Sequence, residues 1–526
     1  MTIPPRSRAP ARPLTWMLAS LLATSLALVS ACASVKTGTG GQPGGDGTGA
    51  AAANSGGGSL FGSGGTSVTL PADTADASRG TITSSNGATG GCKNLQCQQP
   101  TCKDGPCAQA ACPAGQTTSV SGTVYDPAGS TPLYNVVVYV PNADLADIPE
   151  GVSCQKCDGT ATGSPIATAL SDASGHFVLS NMPVGHDIPL VIQVGKWRRK
   201  VTIPTVTACQ DTPITDKNLT RLPRSQSEGH LPQFALTTGH ADALECLLRK
   251  IGVADQEFTT DAGTGRVHMF VGGATSGDGA GSKGFAATVN GGVAFPNAST
   301  LWGSPDKLRT YDILVLSCEG ASYADAKSPY RQNIKSYADM GGRLFADHKH
   351  SYWLESGAAP WPQTAVYMND NNDLPDPSTL KIDDTFPKGM ALADWLVNVG
   401  ASTTRGSLPV FQGQYSVKAV TPPYTQRWIY YDAEVARPGV EYMTMNTPVE
   451  SSADQQCGRV VFTDVHVVSA AAGGVAPDVS WPEKPFPTGC TSTTLSPQEK
   501  ALEFMLFDLS SCVQPETVRP VPPAPE

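Results

Sequence analysis

The sequence has no basic run longer than Arg198-Arg199-Lys200, and its 526 residues carry a formal net charge of −10. Nucleic-acid binding needs clustered cations that displace counterions, and a polybasic lipid contact needs a local block of them, so both are excluded as primary roles. Hydrophobic runs long enough to cross a bilayer are missing beyond one N-terminal stretch. No HxxE zinc-peptidase pattern is present. What the chain does have is cysteine, 14 in all. In an exported protein that number points to disulfides rather than reduced thiols.

Export is what the N-terminus predicts. Arg6, Arg8 and Arg12 precede the uncharged apolar stretch "LTWMLASLLATSLALVSAC", which ends in small residues. Its last four residues, Val29-Ser30-Ala31-Cys32, resemble the lipobox of bacterial lipoproteins. That resemblance implies cleavage after residue 31, diacylation and N-acylation (such as palmitate) of Cys32, and a lipid-anchored mature chain. Several acyl chains anchor stably where one is marginal. An uncleaved membrane anchor is the alternative, and small residues directly before a cysteine favour the lipobox. Ala33 stands where an inner-membrane retention signal would place Asp. The expected location is therefore the outer membrane, facing the periplasm or the exterior.

Residues 32–91 are mostly Gly, Ser, Ala and Thr, too poor in large apolar groups to offset the entropy of ordering. They read as a flexible stalk. Residues 92–116 carry Cys92, Cys97, Cys102, Cys107 and Cys112 at five-residue spacing, with prolines and glycines that oppose a helix. A small disulfide-bonded knob is expected; zinc is the sharper alternative, but paired CxxC spacing and histidine are missing there. Once Cys32 is set aside, an odd number of cysteines remains, so one thiol is free or pairs with another molecule.

From 117 to 222 the pattern is short alternating strands with turns at Asp126–Gly129 and Asp172–Gly175 and a hairpin around Gly195. That spacing predicts an antiparallel β-sandwich. The segments "VSGTVYDPAG", "PLYNVVVYV", "SDASGHFVLSNMPVG" and "PLVIQVG" resemble the carboxypeptidase regulatory-like domain, close to the Cna-B and transthyretin-like sandwiches. The resemblance implies a non-catalytic spacer or recognition module. An inserted loop carries Cys154 and Cys157, with Cys209 a candidate partner for either; a Cys154–Cys157 redox pair lacks the surrounding βαβ context.

Residues 230–513 alternate strand-like and helix-like segments, which predicts an α/β fold with a mostly parallel sheet. "QFALTTG", "RVHMFVGG", "YDILVLSCEG", "RLFADH" and "GRVVFTDVHVV" are candidate strands. "HADALECLLRKIG" and "SPYRQNIKSYADMGG" are candidate helices, and "SPQEKALEFMLFDLSS" is one with a capping box at Ser496 and Glu499. Cys457, Cys490 and Cys512 flank the last strand and helix, where a bridge among them is plausible. Cys246, on a helical face, is expected to be buried. Residues 514–526 are too rich in proline to join a core.

Ligands of open α/β sheets bind beyond the carboxyl ends of the strands. Those ends hold Thr237, Thr238 and His240; Cys318 and Glu319; Asp347, His348 and His350; and Asp464 and His466. Such residues suit a nucleophile–base pair or a metal cluster. The order of "YDILVLSCEG", "YADMGGRLFADH" and "RVVFTDVHVV" resembles the class I glutamine amidotransferase-like superfamily, including its trehalose-utilisation branch. The implied fold is flavodoxin-like. By that resemblance Cys318 falls at the oxyanion turn, and the nucleophile elbow holds Asp347-His348-Lys349, with no Cys or Ser. The family's late His-x-Glu pair falls at His466, with Val468 in place of the acid. Glutamine hydrolysis is thus not expected.

The resulting expectation is a multidomain cell-envelope lipoprotein, a β-sandwich plus an α/β domain, acting in surface binding or scaffolding of polysaccharide or protein. The competing class is a hydrolase or metal-dependent enzyme using Cys318, His348 and His466. No cofactor is expected; zinc at His348, His350 and His466 and calcium in the Asp/Asn-rich stretch 369–384 are the candidate ions. Trp302, Trp353, Trp361 and Trp428 are candidates for a sugar-stacking platform, against the plainer reading of core residues.

Overall fold

The computed structural model describes residues 110–273, 281–368, 373–432, 438–467 and 484–525. All of these lie in one compact unit, Ala88–Glu526. The signal peptide, Cys32, the stalk and Cys92, Cys97, Cys102 and Cys107 lie outside the described residues, as does Val468.

Seven strands form the first part: β1 (Ser119–Thr123), β2 (Val137–Pro141), β3 (Pro165–Leu170), β4 (His176–Ser180), β5 (Gly185–Val194), β6 (Trp197–Val206) and β7 (Asp211–Ile214). They make two sheets, β4-β1-β7 and β3-β2-β5-β6. Period-two patterning explains β4, where Phe177 and Leu179 point inward and His176, Val178 and Ser180 outward. The β5–β6 hairpin turns at Gly195, whose φ is +53° and where an added Cβ would meet the Ser510 carbonyl oxygen at 1.8 Å. One expectation is corrected. The sandwich is not wholly antiparallel, because β7 lies parallel to β1. After β6 the chain leaves one sheet for the other and enters it at the open edge of β1, in the same direction.

The second part contains β8 (Phe234–Thr238), β9 (Phe258–Thr259), β10 (Val267–Val271), β11 (Ile313–Leu316), β12 (Arg343–Asp347), β13 (Ala365–Tyr367), β14 (Ser378–Ile382), β15 (Ser407–Val410), β16 (Val417–Val420), β17 (Gln426–Tyr431), β18 (Gly439–Thr447) and β19 (Gly458–Thr463). Ten of these form one mixed sheet in the order β15-β14-β17-β18-β19-β12-β11-β8-β10-β9. The strands from β9 to β19 in that order run parallel, while β18, β17, β14 and β15 extend the sheet antiparallel. Strands β8, β11, β12 and β19 are buried at every residue, as strands covered on both faces must be. The chain leaves β8 for β10 on one side and then places β11 on the other, so the order reverses between β8 and β11.

The closing helix Pro497–Ser510 has the expected capping box: Glu499 N–H donates to Ser496 Oγ and Ser496 N–H to Glu499 Oε2. It also joins the two parts. Tyr134 stacks on Phe504 with ring centroids 5.8 Å apart, and the core is continuous from Val120 through Leu509. At this seam Glu503, fully buried, faces the carboxyl of Asp126. Asp126 already accepts from Ser130 N and Oγ and from Thr131 N, so Glu503 is the member that keeps a proton. Burial, and then the nearby Asp126, push Glu503 well above its ordinary value of 4.5. A raised acid stabilises the fold below its unfolded value and loses that contribution as pH rises through the folded one. Glu503→Gln is therefore expected to raise Tm at pH 7 and leave it nearly unchanged at pH 4, as read by thermal melts at both values.

Four disulfides are formed among the described residues: Cys112–Cys209, Cys154–Cys457, Cys157–Cys512 and Cys246–Cys490. They correct the expected pairings of Cys209 and of the cysteines around the last strand and helix, and add a partner for Cys246. Cys209 pairs with Cys112 rather than with Cys154 or Cys157. Cys154 and Cys157 do not pair with each other. No bridge joins Cys457, Cys490 and Cys512 among themselves, and Cys246 is bonded as well as buried. The inserted loop of the sandwich lies against the chain just before β12 and β19, so its two cysteines face partners hundreds of residues away. The proline-rich tail also differs from expectation. Val513 is buried, Glu516 pairs with the fully buried Arg459, and Thr168 Oγ1 donates to the Pro523 carbonyl at 2.6 Å.

Candidate functional site

The carboxyl ends of β8, β11, β12 and β19 meet at the reversal of strand order, the crevice where open α/β sheets bind ligands. The approach of the first two is tight. A Cβ on Gly239 would lie 2.1 Å from the Cys318 carbonyl oxygen, and that oxygen accepts from Ala241 N–H at 3.0 Å. Immediately after β12 the backbone turns sharply, with His348 at φ +41°. This is a left-handed conformation that side chains rarely adopt, and it marks functional turns.

Three predicted residues converge here. Cys318 Sγ lies 3.3 Å from His348 Nδ1, and the rings of His348 and His466 have centroids 5.1 Å apart. Cys318 is the one free cysteine among the described residues and is buried. Asp347 joins them from β12, its Oδ2 accepting the Cys318 N–H at 3.1 Å and its Oδ1 lying 3.8 Å from His466 Nε2. Asp242 completes the group. Its Oδ1 accepts from Ala243 N–H at 2.8 Å and from Val467 N–H at 2.9 Å, and one of its carboxylate oxygens lies within 4.8 Å of donor atoms of Asp347 and His466. Sequence reasoning missed Asp242. It lies two residues beyond His240 at the same strand end, and that position was the only signal available.

The other strand-end residues are engaged elsewhere. His350 was a metal candidate, but its Nε2 bonds the Ser317 carbonyl at 3.0 Å and its Nδ1 accepts from Trp353 Nε1 at 3.0 Å, so it is a structural histidine. Glu319 pairs with the fully buried Lys327 at 2.6 Å and accepts from Gly273 N–H at 2.7 Å. Asp464 accepts from Ser416 N–H at 2.7 Å and from its hydroxyl at 2.9 Å. Burial pushes Asp464 up to about 7. Thr238 Oγ1 donates to the Ser282 carbonyl at 2.8 Å.

Burial governs the electrostatics of the cluster. It pushes the Cys318 thiol up to about 12, holds His348 and His466 below the usual imidazole range, and raises Asp347, with Asp242 adding to that rise. Burial thus disfavours charge on the thiol, on both imidazoles and on the Asp347 carboxyl alike. A Cys–His hydrolase needs a thiolate, or a base able to make one, in a site that substrate can reach. His348 contacts the thiol as such a base would, but Cys318 is buried, out of reach of substrate.

A second feature was not anticipated. An open groove of about 1300 Å³ lies along β16, β17 and β18. Tyr424, Tyr430 and Tyr431 line it with Asn446 and Gln456, and the Arg427 guanidinium lies 3.7 Å from the Tyr430 ring centroid. The tryptophans considered for that role are elsewhere. Trp302, Trp353, Trp361 and Trp428 are each no more than 1% exposed and pack in the core. Of the acidic stretch 369–384, residues 369–372 lie outside the described residues; at its far end Asp383 pairs with Arg427 and Asp384 with Arg405.

No protein-family model matches the chain, and no curated protein does. Among solved structures, it is similar to chains from two crystal structures of a type II cohesin–X–dockerin complex from Acetivibrio cellulolyticus, a C-terminal and an N-terminal interface mutant. Identities are 15% and 13%, each alignment covers 27% of this chain and 75% of the other, and TM-scores are 0.14 and 0.13. A likeness at that level carries no argument about fold or function.

Proposed function

We propose that this chain is an exported, lipid-anchored envelope protein that binds polysaccharide, and that the groove beside β17 is its binding surface. The observation that carries this reading is the groove itself, which three tyrosines line together with amide and charged groups. Aromatic faces pack against the C–H faces of sugar rings, and the interspersed polar groups bond hydroxyls. This is the usual division of labour in a binding cleft. Four disulfides are what an oxidising compartment permits, which supports export. The lipobox-like Cys32 supplies the anchor. The order β10-β8-β11-β12-β19 supports a flavodoxin-like class for the parallel half of the sheet. The left-handed turn at His348 supports kinship with amidotransferase-like domains that lack a nucleophile.

Affinity electrophoresis through gels containing purified envelope polysaccharides tests the proposal. The wild-type chain is expected to be retarded by at least one of them, and Tyr430→Ala to bind about tenfold more weakly, roughly 1.4 kcal/mol. Equal retardation of the two proteins, or none by any polysaccharide, would remove the reading.

A further inference from the structure

We propose that the carboxyl ends of β8, β11, β12 and β19 form a site for one divalent transition-metal ion, best suited to zinc, with Cys318, His348 and His466 as ligands. The fourth ligand is a carboxylate of the Asp242–Asp347 pair. This inference is independent of the groove.

Geometry is the first argument. One donor atom from each of Cys318, His348 and His466 lies within 4.8 Å of the other two, and the same holds for Asp242, Asp347 and His466. The measured 3.3 Å between Cys318 Sγ and His348 Nδ1 is close to the separation of a sulfur and a nitrogen on one tetrahedral zinc, about 3.5 Å from bond lengths of roughly 2.3 and 2.1 Å. The two donors are already spaced as an ion would hold them.

Unsatisfied atoms are the second argument. His466 Nε2, Asp347 Oδ1 and Asp242 Oδ2 are buried without a hydrogen-bond partner, and all three belong to this cluster. Buried polar atoms are ordinarily paired, and a cation among these residues would satisfy them in place of a proton shared by Asp347 and Asp242. The shell around them is built to orient the donors. Asp347 Oδ2 holds the Cys318 backbone, Asp242 Oδ1 holds the backbone next to His466, and Gly320 N–H points at Sγ from 3.4 Å. Such contacts fix ligand geometry around a metal.

Charge is the third. Binding breaks the S–H bond, forms a sulfur–metal bond and releases the proton to solvent, and no redox partner is needed. One thiolate and one carboxylate then neutralise a doubly charged ion in a dry site. Sulfur and imidazole donors favour zinc over calcium or magnesium. His350 takes no part, because both its nitrogens are bonded elsewhere.

The test uses the full chain, stripped with chelator and dialysed against zinc or cobalt. Wild type is expected to retain one equivalent more zinc, by mass spectrometry, than Cys318→Ser. Its cobalt form should show a thiolate charge-transfer band that the variant lacks. The difference between the two proteins also separates this site from the Cys-rich segment at 92–112. His466→Gln keeps the thiol and serves where Cys318→Ser fails to fold; it is expected to bind zinc at least tenfold more weakly. Equal zinc content, an unchanged cobalt spectrum, or unchanged affinity in His466→Gln would overturn the proposal.

Discussion

Replacing Arg459 with leucine is expected to lower the free energy of unfolding by about 3–5 kcal/mol, the usual cost of stranding buried charge. Arg459 is fully buried on β19, and its guanidinium is shared between Asp508 of the closing helix and Glu516 of the tail. Lys388 approaches the same two acids, at 2.8 Å and 3.6 Å. Without Arg459, one lysine must neutralise two carboxylates out of water. Adding Glu516→Gln removes one stranded acid and should return part of the loss. The pH dependence follows from Asp508. Burial pushes it up, but Arg459 and then Lys388 outweigh burial and leave it below its ordinary 3.8. The advantage of wild type over the variant is therefore full above 3.8 and lost as pH falls through the lower native value. Urea unfolding checks both statements. An Arg459→Leu protein with the wild-type midpoint would show that the network contributes nothing.

Removing the Cys157–Cys512 bridge by double serine substitution is expected to cost about 4 kcal/mol. The sequence separation of 355 overstates the loop that matters. Cys154–Cys457 already ties the chain close by, so the second bridge closes an effective loop of only roughly 60 residues, and the chain-entropy cost follows from that smaller number. Removing both bridges should cost more than twice as much as removing either one, because the first to go leaves the other holding a far longer loop. Unfolding midpoints of the two double variants and the quadruple variant measure this coupling, and strict additivity would contradict it.

Much of the fold was legible in the sequence because it rests on local patterns. Period-two burial in β4, the apolar runs of β11 and β12, and the capping box at Ser496 are properties of short segments. So are the glycine turns at 129, 175 and 195. The antiparallel extension of the sheet was less legible, since β14, β17 and β18 gain their identity from neighbours far along the chain. The same limit applies to the disulfides. Which cysteine faces Cys154 depends on where an inserted loop lands, and no spacing rule reaches 303 residues. At the candidate site, the rule that ligands meet strand ends selected Cys318, Asp347, His348 and His466. It could not tell them from His350, one turn away, whose ring is consumed by Ser317 and Trp353. It did not select Asp242, because one acid after a strand looks like any other. The tyrosine groove was missed for a related reason. Tryptophan draws attention in a sequence, yet here Trp302, Trp353, Trp361 and Trp428 are buried, while Tyr424, Tyr430 and Tyr431 are left half-buried at the surface.

The two interleaved bridges also change what a protease can do to this protein. A backbone cut anywhere from 158 to 456 leaves fragments that Cys154–Cys457 and Cys157–Cys512 still hold together. A cut from 113 to 208 is spanned in the same way by Cys112–Cys209. Loops across most of the folded unit can therefore be nicked without releasing a piece. Damage to the surface of such a chain need not become loss of its parts.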